Sequence, residues 1–262
     1  MFSHEKYKHI WESLKLDYVY PVIDVQVALK CNWNCKNCIK FCGMEDITGL
    51  DYSTSFLSME QVDKFINDMK MVYEHNNKPG RFCCVVYLTG GEPLLHPELT
   101  KVFFKIKSEL ADTEIIDYLL INSNLVMPAP DILSEYIINF SNIKEKLEVH
   151  NAVFLHPDDY NQARPTYRDC KHDRKDKVVY NYMGYNLCCA ADGYIRLFNL
   201  KELIVPTLPD NINEFPLDKM DSVCQHCPFG CENISFEKDV GRPISEIYLN
   251  AGRRNKSETI GI

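Results

Sequence analysis

The chain has 262 residues, 45% hydrophobic and 25% charged, which suits one large domain or a medium domain with a smaller appendage. A formal net charge of -8 argues against broad nucleic-acid binding, because phosphate backbones demand concentrated Lys and Arg. The basic patches at 171–177 and 253–256 are short and read as solvated surface, which leaves a nucleotide-sized substrate open. No apolar run approaches the roughly 18 residues of a membrane-spanning helix. The polar start lacks a secretory pattern, so the expected compartment is the cytoplasm, with no membrane partner.

In chain order, a short amphipathic helix carrying Tyr7, Ile10, Trp11 and Leu14 opens the sequence. Residues 22–29 read as a strand that runs into a cysteine loop. Ser58 and Gln61 form a capping box, and Met59, Val62, Phe65, Ile66, Met69 and Val72 keep helical spacing behind it. Residues 82–88 predict a second strand, in which Cys83 and Cys84 pack as small apolar groups. Pro97 suits the first turn of a helix striped by Leu99, Val102, Phe103, Ile106 and Leu110. A third strand is expected at 115–121, a helix near 131–147, and a strand-like stretch at 147–155. After Pro157 the pattern changes to Pro, Tyr, Asn and Cys, with a strand-like run at 178–182. A hairpin is expected to turn at Asp192-Gly193.

Strands alternating with helices imply a parallel α/β arrangement. A full eight-unit barrel takes about 250 residues. The expectation is therefore a partial, open (β/α) barrel of parallel strands over residues 1–157, followed by a small cysteine-rich region over 158–262. Chemistry in such folds sits at the carboxyl ends of the strands.

There are 12 cysteines, mostly at short spacings, and without an export signal such clusters bind metal or do redox work more often than they form bridges. Cys31, Cys35 and Cys38 offer three soft thiolates just past the first strand, which suit iron–sulfur clusters or zinc. With Cys42 they would also make a closed four-thiolate zinc site. Gly90-Gly91-Glu92-Pro93 ends the second strand, and Ser123-Asn124 follows the third.

The Cys-x3-Cys-x2-Cys spacing, with Gly-Gly-Glu-Pro at the next strand end, resembles the radical S-adenosylmethionine (radical SAM) superfamily over roughly residues 22–155. That resemblance implies a four-iron cluster on Cys31, Cys35 and Cys38 whose open iron chelates SAM. Reductive cleavage would then give methionine and a 5′-deoxyadenosyl radical that takes hydrogen from substrate. It places Gly90, Gly91, Glu92 and Pro93 at the methionyl amine of SAM, and Ser123 and Asn124 near the ribose. Leu125 stands where the family has a glycine, and Asn37 where it has an aromatic residue.

A second dense loop, Cys224-Gln225-His226-Cys227-Pro228-Phe229-Gly230-Cys231, has Cys170, Cys188 and Cys189 upstream. It resembles the SPASM or twitch tail of the same superfamily, which implies an auxiliary four-iron cluster held by Cys170, Cys188 or Cys189, Cys224 and Cys227, with Cys231 competing. Phe198 stands in place of one expected cysteine. A zinc knuckle or a single hydrogen-donating cysteine remain alternatives for this loop. His150, His156 and Tyr160 could face substrate, although packed or surface roles suit them as well, and no catalytic residue is singled out.

The resemblance thus implies an oxidoreductase or isomerase that oxidises, epimerises or cross-links a peptide or a small molecule such as a sugar or nucleotide. Flavodoxin or ferredoxin would donate the electron. With about 20 residues before the first strand, a leader-peptide-binding domain on this chain is not expected, which weakens the peptide reading without excluding it, because such a domain can be a separate protein. The rival from another class is a non-catalytic zinc-binding module.

Overall fold

In the computed structural model the described residues are 8–13, 17–32, 40–42, 56–76, 82–138, 167, 170, 177–188, 191–224, 250 and 253. They form a mixed α/β fold around one six-stranded, mostly parallel sheet. The strands are β1 (Tyr20–Ala28), β2 (Cys83–Gly90), β3 (Ile116–Asn122), β4 (Ile137–Ile138), β5 (Val178–Asn181) and β6 (Gly184–Leu187). Their order is β4-β3-β2-β1-β5-β6, with only the β5–β6 pair antiparallel. β1 is therefore central, flanked by β2 on one side and by β5, from the second half of the chain, on the other.

Helices α1 (Lys8–Ser13), α2 (Met59–Asn76), α3 (Leu99–Ile106), α4 (Ala191–Leu197) and α5 (Asp221–Cys224) accompany the sheet. α2 begins as expected: the Ser58 N–H donates to Gln61 Oε1 at 2.8 Å and the Gln61 N–H returns to Ser58 Oγ at 3.2 Å. This reciprocal box satisfies two amide donors that a helix start leaves open. Behind it Val62, Phe65, Ile66, Met69 and Val72 are buried, and Met59 is half-buried against them. The stripe of α3 is buried too, with Leu110 following in a π-turn at Lys107–Ala111.

Side chains alternate across a strand, so each strand feeds two faces. Ile23, Val25, Val27, Val86, Leu88, Leu119 and Ile121 join the buried stripes of α2 and α3 in the main core. Val22, Val85, Tyr87 and Leu120 point the other way and pack with Ile10 of α1. Further toward the carboxyl ends this second face turns polar, with Gln26, Thr89, Asn122 and Asn181 next in the alternation. Cys83 and Cys84 are fully buried, and burial pushes both thiols up, Cys84 to about 11.

Two expectations are corrected. Within 131–147, the described part is a 3-10 turn at Asp131–Tyr136 running into β4 rather than a helix. Ile137 and Ile138 pair in parallel with Ile121 and Asn122, so sheet pairing overrides a local helical preference. The Asp192-Gly193 hairpin does not form either: both residues lie in α4, and the hairpin is β5–β6, turning at Tyr182-Met183 before Gly184 at φ +131°. Every α4 residue is buried, and the Asp192 side chain is consumed by distant donors instead of a turn. The strand-like stretch at 147–155 lies outside the described residues.

Candidate functional site

β1 and β2 leave the sheet side by side, and their backbones touch. The Gly91 N–H donates to Ala28 O at 2.6 Å and the Glu92 N–H to Lys30 O at 2.9 Å. A Cβ on Gly90, whose φ is +139°, would stand 1.8 Å from Ala28 O, and one on Gly91 would stand 2.3 Å from Lys30 O. Only glycine lets β2 exit this close to the segment that leads into Cys31.

Glu92 follows and is fully buried. Its Oε1 accepts from the Leu94 N–H at 3.0 Å, capping the short 3-10 turn Pro93–Leu95, and from Ser123 Oγ at 2.7 Å. Its Oε2 accepts from the Asn124 N–H at 2.8 Å. One carboxylate thus ties the exit of β2 to the exit of β3. Pro93, at the start of the turn, needs no N–H there and is buried.

Ser123 and Asn124 are held in turn. The Leu125 N–H donates to Ser123 Oγ at 3.0 Å and the Val126 N–H to Asn124 Oδ1 at 3.0 Å. Leu125 has φ +57°, the left-handed conformation that glycine adopts without cost. Asn124 Nδ2 donates to Asn32 Oδ1 at 2.8 Å and lies 4.0 Å from Cys31 Sγ. Cys31 is partly exposed. Three motifs at least 31 residues apart in sequence, Cys31, Glu92 and Ser123-Asn124, meet at one edge of the sheet.

Cys35, Asn37 and Cys38 lie outside the described residues. Cys42 is buried, its thiol directed at Lys40 O at 3.9 Å. In the tail, Cys170, Cys188 and Cys224 are described, whereas Cys189, Cys227, Cys231, His150, His156 and Tyr160 are not. Burial pushes the Cys224 thiol up to about 12, and the nearby Cys188 and Cys170 add to the shift. Among the described residues, no three His, Cys, Asp or Glu side chains are arranged to hold a metal ion. Phe198, in place of an expected cysteine, stacks on Tyr194 with ring centroids 6.5 Å apart.

Sequence reasoning missed the polar centre around Asp192. Its carboxylate accepts from Gln26 Nε2 at 2.7 Å, Asn181 Nδ2 at 2.8 Å and Asn186 Nδ2 at 3.0 Å. Arg196 lies 3.0 Å away and Lys40 Nζ 3.3 Å away. Burial alone would push this carboxyl up; the Lys40 and Arg196 charges, with the Gln26 and Asn186 donors, outweigh it and hold the group well below the ordinary carboxylate range. The available signal was Asp24 and Gln26, two polar side chains interrupting an apolar strand. Asp24 has its own partner, Lys177, at 3.3 Å.

Glu92→Gln tests the first of these arrangements. An amide has one acceptor oxygen, so its NH2 must face either the Asn124 N–H or the donors on Oε1. The expected loss is about 1.5–3 kcal/mol of stability, read by denaturant melts. Unchanged stability would contradict the role of this carboxylate as the tie between the two strand exits.

No protein-family model matches the chain, and no curated protein matches it. Among solved structures, the crystal structure of BtrN in complex with AdoMet and 2-DOIA aligns with a TM-score of 0.34 and 14% identity, over 93% of this chain and 92% of that one. A likeness this distant is too weak to assign a fold or a function.

Proposed function

We propose that the chain is a radical SAM enzyme with its chemistry at the carboxyl edge of the sheet. The observation that supports this reading is the meeting of Cys31, Glu92 and Ser123-Asn124 at that edge. Cys31, Cys35 and Cys38 would hold a four-iron cluster; thiolates are the right donors, and Cys31 is partly exposed at the sheet edge. When bound, the cluster supplies the electron that cleaves SAM to methionine and a 5′-deoxyadenosyl radical.

Gly90, Gly91, Glu92 and Pro93 would line the methionyl end of SAM, and Ser123 and Asn124 its ribose. Glu92 already fixes Ser123 and Asn124, so it would set the spacing between these two contacts. Thr89, on the polar stretch of the second face, would orient substrate below the edge, and the apolar packing around Ile10 would close the far end against water. The sheet would belong to a partial, open barrel.

The tail cysteines Cys170, Cys188 or Cys189, Cys224 and Cys227, with Cys231 as competitor, would hold a second four-iron cluster. Cys188 and Cys170 both lie near enough to Cys224 to push its thiol up, which supports this reading. The product would be an oxidised, epimerised or cross-linked peptide or small molecule, made in the cytoplasm with flavodoxin or ferredoxin as electron donor.

Anaerobically reconstituted, dithionite-reduced protein is expected to convert SAM to 5′-deoxyadenosine and methionine. Protein that carries zinc at both loops and leaves SAM intact would instead be a non-catalytic metal-binding module.

A further inference from the structure

The Asp192 carboxylate gathers donors from β1, β5 and β6, and one more from the segment just beyond the cysteine loop: Lys40, two residues past Cys38. Asp192 is fully buried and Lys40 is 8% exposed. Lys40 is held at two points, since its ammonium meets Asp192 at 3.3 Å and its carbonyl oxygen accepts from the Arg196 guanidinium at 3.3 Å. Arg196 itself bonds Asp192 one turn away on α4. The next residue, Phe41, is buried at φ +55° and sets its ring edge-on to Tyr194 of α4 at 5.3 Å. Cys42 follows, fully buried. One end of the loop leaves β1 directly, at Cys31, and the other is clamped by α4.

We propose that Asp192 is a positioning residue for the cysteine loop: anchored to the sheet through Gln26, Asn181 and Asn186, its carboxylate grips Lys40 and thereby sets where the loop returns after Cys38. The clamp rests on the reading of residues 31–38 as a ligand loop. A buried carboxylate with five donors is costly to build and expensive to disturb, because removing the Lys40 charge leaves Arg196 alone to balance the buried Asp192 charge, and removing the Asp192 charge takes the counter-charge from Lys40 and Arg196 together. The apolar packing of β5, β6 and α4 could hold those elements together without it. What apolar packing does not do is fix Lys40 at both its ammonium and its carbonyl.

The test uses the full chain, as purified under reducing conditions, and follows iodoacetamide labelling of individual cysteines by mass spectrometry. Cys42 reports on the clamp, and Cys83, fully buried in β2, reports on the sheet. Lys40→Met keeps the aliphatic stem and removes the charge. It is expected to speed Cys42 labelling by about tenfold or more while Cys83 stays protected, in keeping with a local opening. Lys40→Arg should restore protection. Asn181→Ala, which weakens the sheet side of the network, should loosen Cys42 less than Lys40→Met does. Asp192→Asn should match Lys40→Met; should it fail to fold, the lysine variants still decide.

The paramagnetic spectrum of the reduced cluster, compared between wild type and Lys40→Met, gives a second readout, with an altered line shape expected. Equal protection of Cys42 in wild type and Lys40→Met, or labelling of Cys42 and Cys83 rising together, would overturn the clamp. Selective Cys42 exposure in a protein that binds no iron would leave the clamp standing and remove the radical SAM reading instead.

Discussion

Alanine at Cys31, Cys35 and Cys38 together should abolish conversion of SAM to 5′-deoxyadenosine and halve the bound iron. The wild-type chain is expected to hold about eight irons, on the premise that each thiolate loop ligates one four-iron cluster. The triple variant removes every thiolate of the first loop and none from the tail, so about four irons should remain. Those remaining irons should give a spectrum that ignores SAM, because a fully ligated cluster has no open iron to offer. The fold should survive, since Cys31 is partly exposed at the sheet edge and lies outside the main core. Undiminished SAM cleavage in the triple variant would overturn the proposed function. Loss of all iron would place no cluster in the tail, and zinc there would make the tail a structural staple.

The second large effect is expected from Gly90→Ala, a substitution of one methyl group. That methyl would lie 1.8 Å from Ala28 O, a backbone atom that no rotamer change can move away. The backbone at φ +139° is also one that L side chains rarely adopt. The strain and the overlap together should cost about 3 kcal/mol or more. Relief would require β1 and β2 to separate at their carboxyl ends, which breaks the Gly91 and Glu92 amide bonds to Ala28 and Lys30 and displaces Cys31 and Glu92 together. Gly90→Ala should therefore lower both the denaturant midpoint and the iron retained on the first loop. Ser58→Ala is a useful contrast: it removes one capping bond at the start of α2 and should cost only about 1 kcal/mol, with iron unchanged. Near-wild-type stability of Gly90→Ala would mean that the strand exits do not approach as closely as described.

The elements most legible in the sequence are those whose cause is local. The Ser58–Gln61 box, the α2 stripe and the buried Cys83-Cys84 pair depend on residues within a few positions of one another, so spacing reveals them. Cys31, Glu92 and Ser123-Asn124 stand out in the sequence by type and order, and they meet at one edge of the sheet. What spacing does not carry is the partner of each group. Glu92 spends its carboxylate on Leu94, Ser123 and Asn124, and nothing near position 92 signals the last two. Asp192-Gly193 shows the same limit more sharply. Locally the pair reads as a turn, yet Gln26, Lys40 and Asn181 reach Asp192 from segments 166, 152 and 11 residues away. Those donors reward a buried helix over an exposed hairpin. Residues 131–138 fail as a helix for a related reason, because β3 offers Ile137 and Ile138 a parallel pairing that helical spacing cannot anticipate.

The proposed function turns on whether the loop beginning at Cys31 holds an iron cluster with a site open to SAM. Electron paramagnetic resonance of anaerobically purified, dithionite-reduced protein, recorded with and without SAM, addresses that directly. A reduced four-iron signal that shifts on SAM addition, and that disappears in the Cys31/Cys35/Cys38 triple variant, is the predicted result. A protein that carries zinc and no iron, or a signal that SAM leaves unchanged in the wild type, would contradict it.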